Sequence, residues 1–152
     1  MTDPSATHTF SHLSASLVLS RQRASQGLYP AVEPLASDSK MLAAEIVGVQ
    51  HYDIARAVRR TLSEYESLKD IIAMLGLEEL SASDRATVSR ARRLERFLAQ
   101  PFFTTEQFTG LDGRRVELAD TLEGCERILN DEFSDISERA LYMIGKVDEA
   151  SA

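Results

Sequence analysis

The chain has 152 residues, enough for one domain or for one domain and part of a second. Its 43% hydrophobic and 27% charged residues are typical of a globular protein, and its net charge of -7 argues against a general nucleic-acid-binding role. No apolar run approaches the length of a transmembrane helix, the N-terminus lacks the pattern of a secretory signal, and the single cysteine, Cys125, permits no internal disulfide.

The first part of the chain, up to about residue 46, has some β character. Residues 15–20 (ASLVLS) form a short, continuously apolar run. This pattern favours a strand buried on both faces, as in a parallel sheet, although a buried helical turn stays open. Residues 21–26 predict a brief helix that ends at Gly27. Pro30 and Pro34 then predict an irregular linker over residues 27–39, because proline cannot donate to a sheet ladder.

The remainder of the chain has a helical period. From about residue 47, apolar residues recur at steps of three and four, which predicts one long amphipathic helix or two helices joined near Ser63. The apolar positions are Ile54, Val58, Leu62, Tyr65, Leu68, Ile72 and Leu75, and Gly76 ends the helix. Ser81 and Asp84 have the spacing of a capping box that begins a second helix, which stops before Pro101. The predicted apolar stripe of this second helix is Thr87, Ala91, Leu94 and Leu98.

Shorter elements complete the pattern. Helices are predicted at residues 104–108, 118–130 and 137–143, with a turn between Gly110 and Gly113 and a possible short strand at Val116. The fold predicted is therefore mainly α, with a boundary near residue 46. The five arginines between residues 85 and 96 favour an exposed helix face that pairs with acids or with an adjacent subunit. No histidine or cysteine spacing predicts a metal site.

Several segments, taken together and in order, carry a resemblance that covers nearly the whole chain. They read TDPSATHTFSHL, ASLVLSR, GLYPAVEPL, IVGVQHYDIARAV, SLKDIIAMLGLEEL, VSRARRLERFLAQPF, FTG and ALYMIG. The sequence resembles the C-terminal third of the β subunit of F-type ATP synthases. The resemblance implies that residues 1–46 are the end of an α/β nucleotide-binding domain and that residues 47–152 are the C-terminal helical bundle.

The resemblance also implies a nucleotide contact. Tyr29 would stack on the adenine ring of ATP or ADP, and Phe102 and Phe108 would line the same pocket. Stacking on an aromatic ring contributes about 1–3 kcal/mol per base. On the residues alone, each of these rings would instead be a space-filling member of the core.

A second implied site is the turn between the two long helices, where the family carries an acidic DELSEED segment that meets the rotating central stalk. This chain reads EELSASD, comprising Glu78, Glu79, Leu80, Ser81, Ala82, Ser83 and Asp84. Because Ala82 and Ser83 replace two acids, a stalk contact that depends on dense negative charge would be weaker in this chain. Packed helices move as stiff bodies, so the tip could still transmit force to the stalk by steric contact. The alternative is a solvated helix–helix turn with a good cap.

The chemistry of phosphoryl transfer is not represented in this sequence. No Gly-x-x-x-x-Gly-Lys-Ser/Thr loop occurs, and the family's magnesium-ordering aspartate and water-activating glutamate lie upstream of the matched region. We therefore expect weak or no binding of ATP or ADP by this chain alone, no catalysis, and magnesium only in the intact subunit.

The implied setting is a rotary machine that couples ATP synthesis or hydrolysis to ion transport. The expected partners are the α subunits and the γ subunit of the central stalk, at the cytoplasmic face and peripheral to the membrane. The alternative is a stand-alone, non-catalytic helical protein-binding module, which the amphipathic helices also allow.

Overall fold

The computed structural model describes residues 12–150 and is mainly helical, as predicted. A two-stranded antiparallel sheet pairs β1 (Ala15–Ser16) with β2 (Asp38–Ser39), and Ala15 lies opposite Ser39. The α-helices are α1 (Arg21–Ser25), α2 (Ala44–Val47), α3 (Val49–Leu75), α4 (Ala82–Phe97), α5 (Glu106–Thr109) and α6 (Leu118–Leu129). Turns of 3₁₀ helix lie at Leu77–Glu79, Phe103–Thr105, Glu138–Leu141 and Val147–Glu149. Most of the TDPSATHTFSHL segment falls outside the described residues.

The strand predicted over residues 15–20 is wrong in length, pairing and burial. Its regular ladder is confined to β1, and Leu19 forms an isolated antiparallel bridge with Val32. Leu17 is 71% exposed and Leu19 is similarly exposed. The partners of the run come from the linker that follows it, so the run lies at the surface rather than between parallel strands.

The long helix is continuous. α3 runs through Ser63 without a break and ends at Gly76, whose amide donates to the carbonyl oxygen of Ile72. A positive φ of 86° at Gly76 lets the chain turn sharply there. The predicted apolar stripe is buried only in the first half of the helix, at Ile54, Val58 and Leu62. Its C-terminal half projects beyond the core, and Leu75 is exposed.

The second long helix begins as predicted, and its buried face agrees with the predicted stripe at Ala91 and Leu94 but not at its other two positions. The Ser81 hydroxyl oxygen accepts from the amide of Asp84 at 3.1 Å, which caps α4. The buried positions of α4 are Val88, Ala91, Leu94 and Phe97. Thr87 is only partly buried and Leu98 is exposed, because the contact with α3 and α6 follows steps of three residues and Leu98 lies at the helix end.

The core joins α3, α4, α6 and the two C-terminal 3₁₀ turns. It consists of Ile54, Val58, Leu62, Ala91, Leu94, Phe97, Cys125, Ile128, Leu141 and Val147. Gly124 of α6 faces Phe97 so closely that a Cβ there would lie 2.2 Å from Cζ of the ring. Burial raises the pKa of the Cys125 thiol to about 12, so this cysteine has the character of an inert core residue.

The shorter predicted elements are close to those observed. The helix predicted at 118–130 corresponds to α6, and the one at 104–108 corresponds to a 3₁₀ turn followed by α5. The helix predicted at 137–143 is the shorter turn Glu138–Leu141, and Val116 lies in no strand. The elements at residues 103–109 and 138–141 are too short to be stable as isolated helices, so tertiary contacts decide their geometry.

Candidate functional site

The predicted aromatic residues Phe102 and Phe108 lie in one closed segment, residues 101–114, here called the aromatic loop. The amide of Arg114 donates to the carbonyl oxygen of Pro101 at 3.0 Å and closes its base. Within it, the Thr105 hydroxyl donates to the carbonyl oxygen of Phe102 at 2.8 Å, and the Thr109 hydroxyl donates to that of Thr105 at 3.1 Å. These bonds satisfy backbone groups locally and give the loop a defined shape.

The aromatic rings of this loop differ in their exposure to solvent. Phe108 is 82% exposed and Phe102 is 37% exposed. The core-filling alternative is therefore wrong for Phe108. A large, exposed apolar side chain on an ordered loop is an available stacking surface.

Tyr29, the third predicted aromatic residue, is attached to the entry of the aromatic loop. Its carbonyl oxygen accepts from the amide of Gln100 at 2.8 Å, one residue before the loop begins. The side chain of Tyr29 is half-buried. The fold therefore brings Tyr29 beside the start of the segment that carries Phe102, although the two residues lie far apart in the sequence.

Two arginines that sequence reasoning missed hold the linker around Tyr29 onto the helices. Arg23 donates to Glu33 at 3.2 Å and to Glu95 of α4 at 3.1 Å. Arg59 of α3 donates to the carbonyl oxygens of Pro34, Leu35 and Ser37 at 3.0, 3.3 and 2.7 Å. Guanidinium groups make such multiple contacts because their donors are arranged in a rigid fork. No local signal in the sequence identifies these partners.

A groove of about 220 Å³ lies next to this linker. Leu28 and Pro30 line one side of it, and Leu98 and Ala99 at the end of α4 line another. Tyr29, Phe102 and Phe108 are not among its lining residues. The groove is therefore an apolar feature separate from these three aromatic residues.

The turn that resembles the stalk-contacting segment is a well-capped helical tip, here called the hairpin tip, Glu78–Asp84. Leu80 is buried, while the other residues of the tip are exposed except for the partly buried Asp84. The Arg85 guanidinium donates to the carbonyl oxygen of Leu80 at 2.9 Å and ties the tip to α4. Met74, which is 75% exposed, and Leu75 add exposed apolar area shortly before the tip in the sequence. Sequence reasoning missed this area because it assigned Leu75 to a buried stripe.

The arginines of α4 have intramolecular partners, and one of them, Arg90, pairs with an acid as predicted. Arg90 forms a two-pronged ion pair with Asp131, with Nε 2.7 Å from Oδ1. Hydrogen bonding to Arg90 lowers the pKa of Asp131. Arg93 donates to the carbonyl oxygens of Phe133, Ser134 and Ile136. These side chains fix the segment after α6 to α4.

Residues 12–150 contain no group of three or more histidine, cysteine, aspartate or glutamate side chains that could hold a metal ion. Over the same residues, no helix has the length and apolar character needed to cross a membrane.

Comparison with known proteins identifies the fold and its relatives. Residues 40–144 match the family model described as the C-terminal domain of V and A type ATP synthase. The chain belongs to this ATP synthase family. It is 68% identical over 149 residues to ATP synthase subunit beta 1 of Marinomonas sp. (strain MWYL1), a match that covers 98% of this chain and 30% of the relative. It is 69% identical over 150 residues to ATP synthase subunit beta of Acaryochloris marina (strain MBIC 11017), covering 99% of this chain and 33% of the relative.

The ATP synthase relatives are much longer than the matched region. The chain spans about a third of the length of the curated relatives it matches, and it corresponds to a C-terminal fragment of a β subunit. Among solved structures, it is similar to a unique ATP synthase subunit from Nanoarcheaum equitans, with a TM-score of 0.67 and 23% identity. That match covers 85% of this chain and 30% of the other, and it supports the fold. The resemblance inferred from the sequence is confirmed.

Proposed function

We propose that this chain supplies two surfaces to an assembled ATP synthase: an adenine-stacking surface and a helical tip that contacts the rotating central stalk. The observation that carries the proposal is the exposure of Phe108, 82%, on a loop closed by its own hydrogen bonds. Because the backbone of the loop is already ordered, binding of a flat ligand has to immobilise only the side chain.

The adenine of ATP or ADP is the proposed ligand of Tyr29, Phe102 and Phe108. Their aromatic character suits a π-face, and the bond between Tyr29 and Gln100 places the tyrosine beside the loop entry. Stacking of about 1–3 kcal/mol per base falls short of the roughly 4 kcal/mol that corresponds to a millimolar Kd. The chain alone therefore binds nucleotide in the millimolar range or more weakly, and phosphate and magnesium contacts belong to the intact subunit.

The hairpin tip is the proposed contact with the γ subunit of the central stalk. Its exposed Glu78 and Glu79 follow the exposed apolar residues Met74 and Leu75 by a few positions in the sequence. Ala82 and Ser83 replace two acids of the family's DELSEED segment. The exposed apolar side chains supply contact area that does not depend on those charges. The other proposed partners are the α subunits, with the assembly peripheral to the cytoplasmic face of a membrane and coupled to ion transport.

Titration of the isotope-labelled 152-residue chain with ADP tests the nucleotide surface. We expect progressive chemical-shift changes at residues 100–113 and near Tyr29, with a Kd of several millimolar or weaker. Pyrophosphate at the same concentrations, a matched probe without the base, is expected to leave these signals unchanged. Shifts produced equally by pyrophosphate, or no shifts in the aromatic loop, would contradict the proposal.

The stalk contact needs a separate test. Purified γ subunit of a related bacterial synthase is added to the labelled chain, and line broadening is mapped onto the structure. Broadening is expected at the hairpin tip and at Met74 and Leu75. Substitution of both apolar side chains by serine is expected to reduce it, whereas a γ subunit that broadens other surfaces, or none, would count against this contact.

A further inference from the structure

We propose that Glu106 and Gly113 are positioning residues that hold the Phe108 ring where it stacks on adenine. This inference rests on the proposed function of Phe108. In it, Glu106 and Gly113 act through Phe108 and not by contact with the base. Phe108 has little packing of its own, since 82% of it is exposed. Neighbouring side chains therefore contribute little to its position, and the backbone of α5 sets the direction in which its Cα–Cβ bond points.

Glu106 connects α5 to the returning arm of the aromatic loop. Its carboxylate oxygen Oε1 accepts from the amide of Gly113 at 2.7 Å. Glu106 is the first residue of α5, the four-residue helix that carries Phe108. A charge-assisted bond to a backbone amide is among the stronger hydrogen bonds in proteins. It therefore ties the start of this short helix to a point seven residues further along the chain.

Gly113 contributes by its lack of a side chain. A Cβ built at Gly113 would lie 2.3 Å from Cδ1 and 2.7 Å from Cα of Phe103. The ring and the backbone of Phe103, in the 3₁₀ turn before α5, can approach this closely only because residue 113 is glycine. The arm is thus held to both the segment before α5 and the first residue of α5.

The loop base adds a third connection. The amide of Arg114, the residue after Gly113, donates to the carbonyl oxygen of Pro101 at 3.0 Å. Successive residues of the returning arm therefore contact the base of the loop, Phe103 and Glu106. A four-residue helix is too short to be stable alone, so these cross-loop contacts give α5 its orientation.

The test measures adenosine binding to the full 152-residue chain by NMR, with the amide proton shift of Gly113 as a second readout. Glu106→Ala removes the acceptor, and we expect roughly fivefold weaker binding, as for the loss of one hydrogen bond. The Gly113 amide signal should move upfield. In Glu106→Gln the side-chain oxygen can still accept from the Gly113 amide. The adenosine affinity should therefore stay within about twofold of the original, and the Gly113 amide proton shift should stay near its original position. Asp112→Ala, the loss of an exposed acid in the same loop, is the matched control and should bind normally.

Two further variants keep the outcome decisive. Glu106→Asp retains the charge but shortens the side chain. If the bond to Gly113 matters, this variant should weaken adenosine binding as Glu106→Ala does. It replaces Glu106→Ala in the test if the alanine variant fails to fold. Gly113→Ala should weaken binding through the clash with Phe103. Normal adenosine binding by Glu106→Ala and Gly113→Ala, or equal weakening by Asp112→Ala, would overturn the positioning role.

Phe108→Ala separates this inference from the function on which it rests. If Phe108→Ala binds adenosine as the unmodified chain does, or if the unmodified chain shows no adenosine-dependent shifts, the stacking proposal itself fails, and the positioning role fails with it. If Phe108→Ala loses binding while the Glu106 and Gly113 variants keep it, the stacking proposal survives and only the positioning role is refuted.

Discussion

The amide of Gln100 and the carbonyl oxygen of Tyr29 are joined by a hydrogen bond of 2.8 Å. The bond connects the N-terminal linker to the end of α4, across the boundary that the sequence places near residue 46. A nucleotide base stacked on Tyr29 and on the aromatic loop would therefore contact segments that already pack against each other. This arrangement makes the linker part of the candidate site. The bonds that hold the linker to the helices can therefore be tested by substitution.

Arg59→Ala should destabilise the chain by about 1–3 kcal/mol, because the carbonyl oxygens of Pro34, Leu35 and Ser37 lose a shared charged donor. The measurement is the free energy of unfolding by urea denaturation at neutral pH. The neighbouring Arg60 is exposed, and Arg60→Ala is the matched control, expected to have little effect. Equal destabilisation by the two substitutions would contradict the role assigned to Arg59.

Gly124→Ala should destabilise the core by about 1–3 kcal/mol, because the added methyl group would lie 2.2 Å from Cζ of Phe97. A thermal unfolding series would measure this change. The double variant with Phe97→Leu should lose less unfolding free energy than the sum of the two single variants. The smaller leucine leaves room for the methyl group added at residue 124. Strict additivity would show that the two residues do not compete for this space.

The ion pair between Arg90 and Asp131 predicts a specific pH dependence. The pKa of Asp131 is lowered in the folded chain by hydrogen bonding to Arg90, so the folded state favours the charged carboxylate. Its contribution is present above the ordinary carboxyl pKa of about 3.9 and is lost as the pH falls through the lower, folded-state value. The pair is partly exposed, which limits the effect to about 0.2–1 kcal/mol.

Asp131→Asn isolates this contribution. Asp131 has a φ of 62°, a conformation that asparagine also tolerates, so the substitution removes the charge without imposing new backbone strain. The difference in unfolding free energy between the original chain and the variant should shrink as the pH is lowered from 7 to about 2. A difference that stays constant over this range would argue against the ion pair as its source.

Cys125 should resist thiol reagents in the folded chain. It is buried in the core, and burial raises its pKa to about 12, so the reactive thiolate is scarce at neutral pH. Labelling with a disulfide reagent should be slow in buffer and fast in denaturant. Rapid labelling under native conditions would mean that the core opens readily around α6.

The features that the sequence predicted well depend on local chemistry. Gly76 determines where α3 ends, because its positive φ turns the chain out of the helix. Ser81 determines where α4 begins, because its side chain accepts a hydrogen bond from a backbone amide of the first turn. The buried face of α4 was predicted only in part, since Ala91 and Leu94 are buried as predicted but Val88 is buried in place of Thr87. The choice between adjacent faces depends on where the neighbouring helices lie.

The features that the sequence could not predict involve residues distant along the chain. The antiparallel pairing of Ala15 with Ser39 depends on which segment is available as a partner, and hydrophobicity alone does not specify it. The contacts of Arg23 and Arg59 likewise form only after the linker folds back onto the helices. The exposure of Phe108 became evident only once the shape of the aromatic loop was known.

The central claim is most directly tested by the nuclear Overhauser effect between adenine protons and aromatic ring protons in the 152-residue chain with excess ADP. The account predicts contacts from the base to the ring of Phe108, with further contacts to Tyr29 or Phe102, all lost in Phe108→Ala. Contacts of the base to rings outside this set, or the same contacts unchanged in Phe108→Ala, would contradict it.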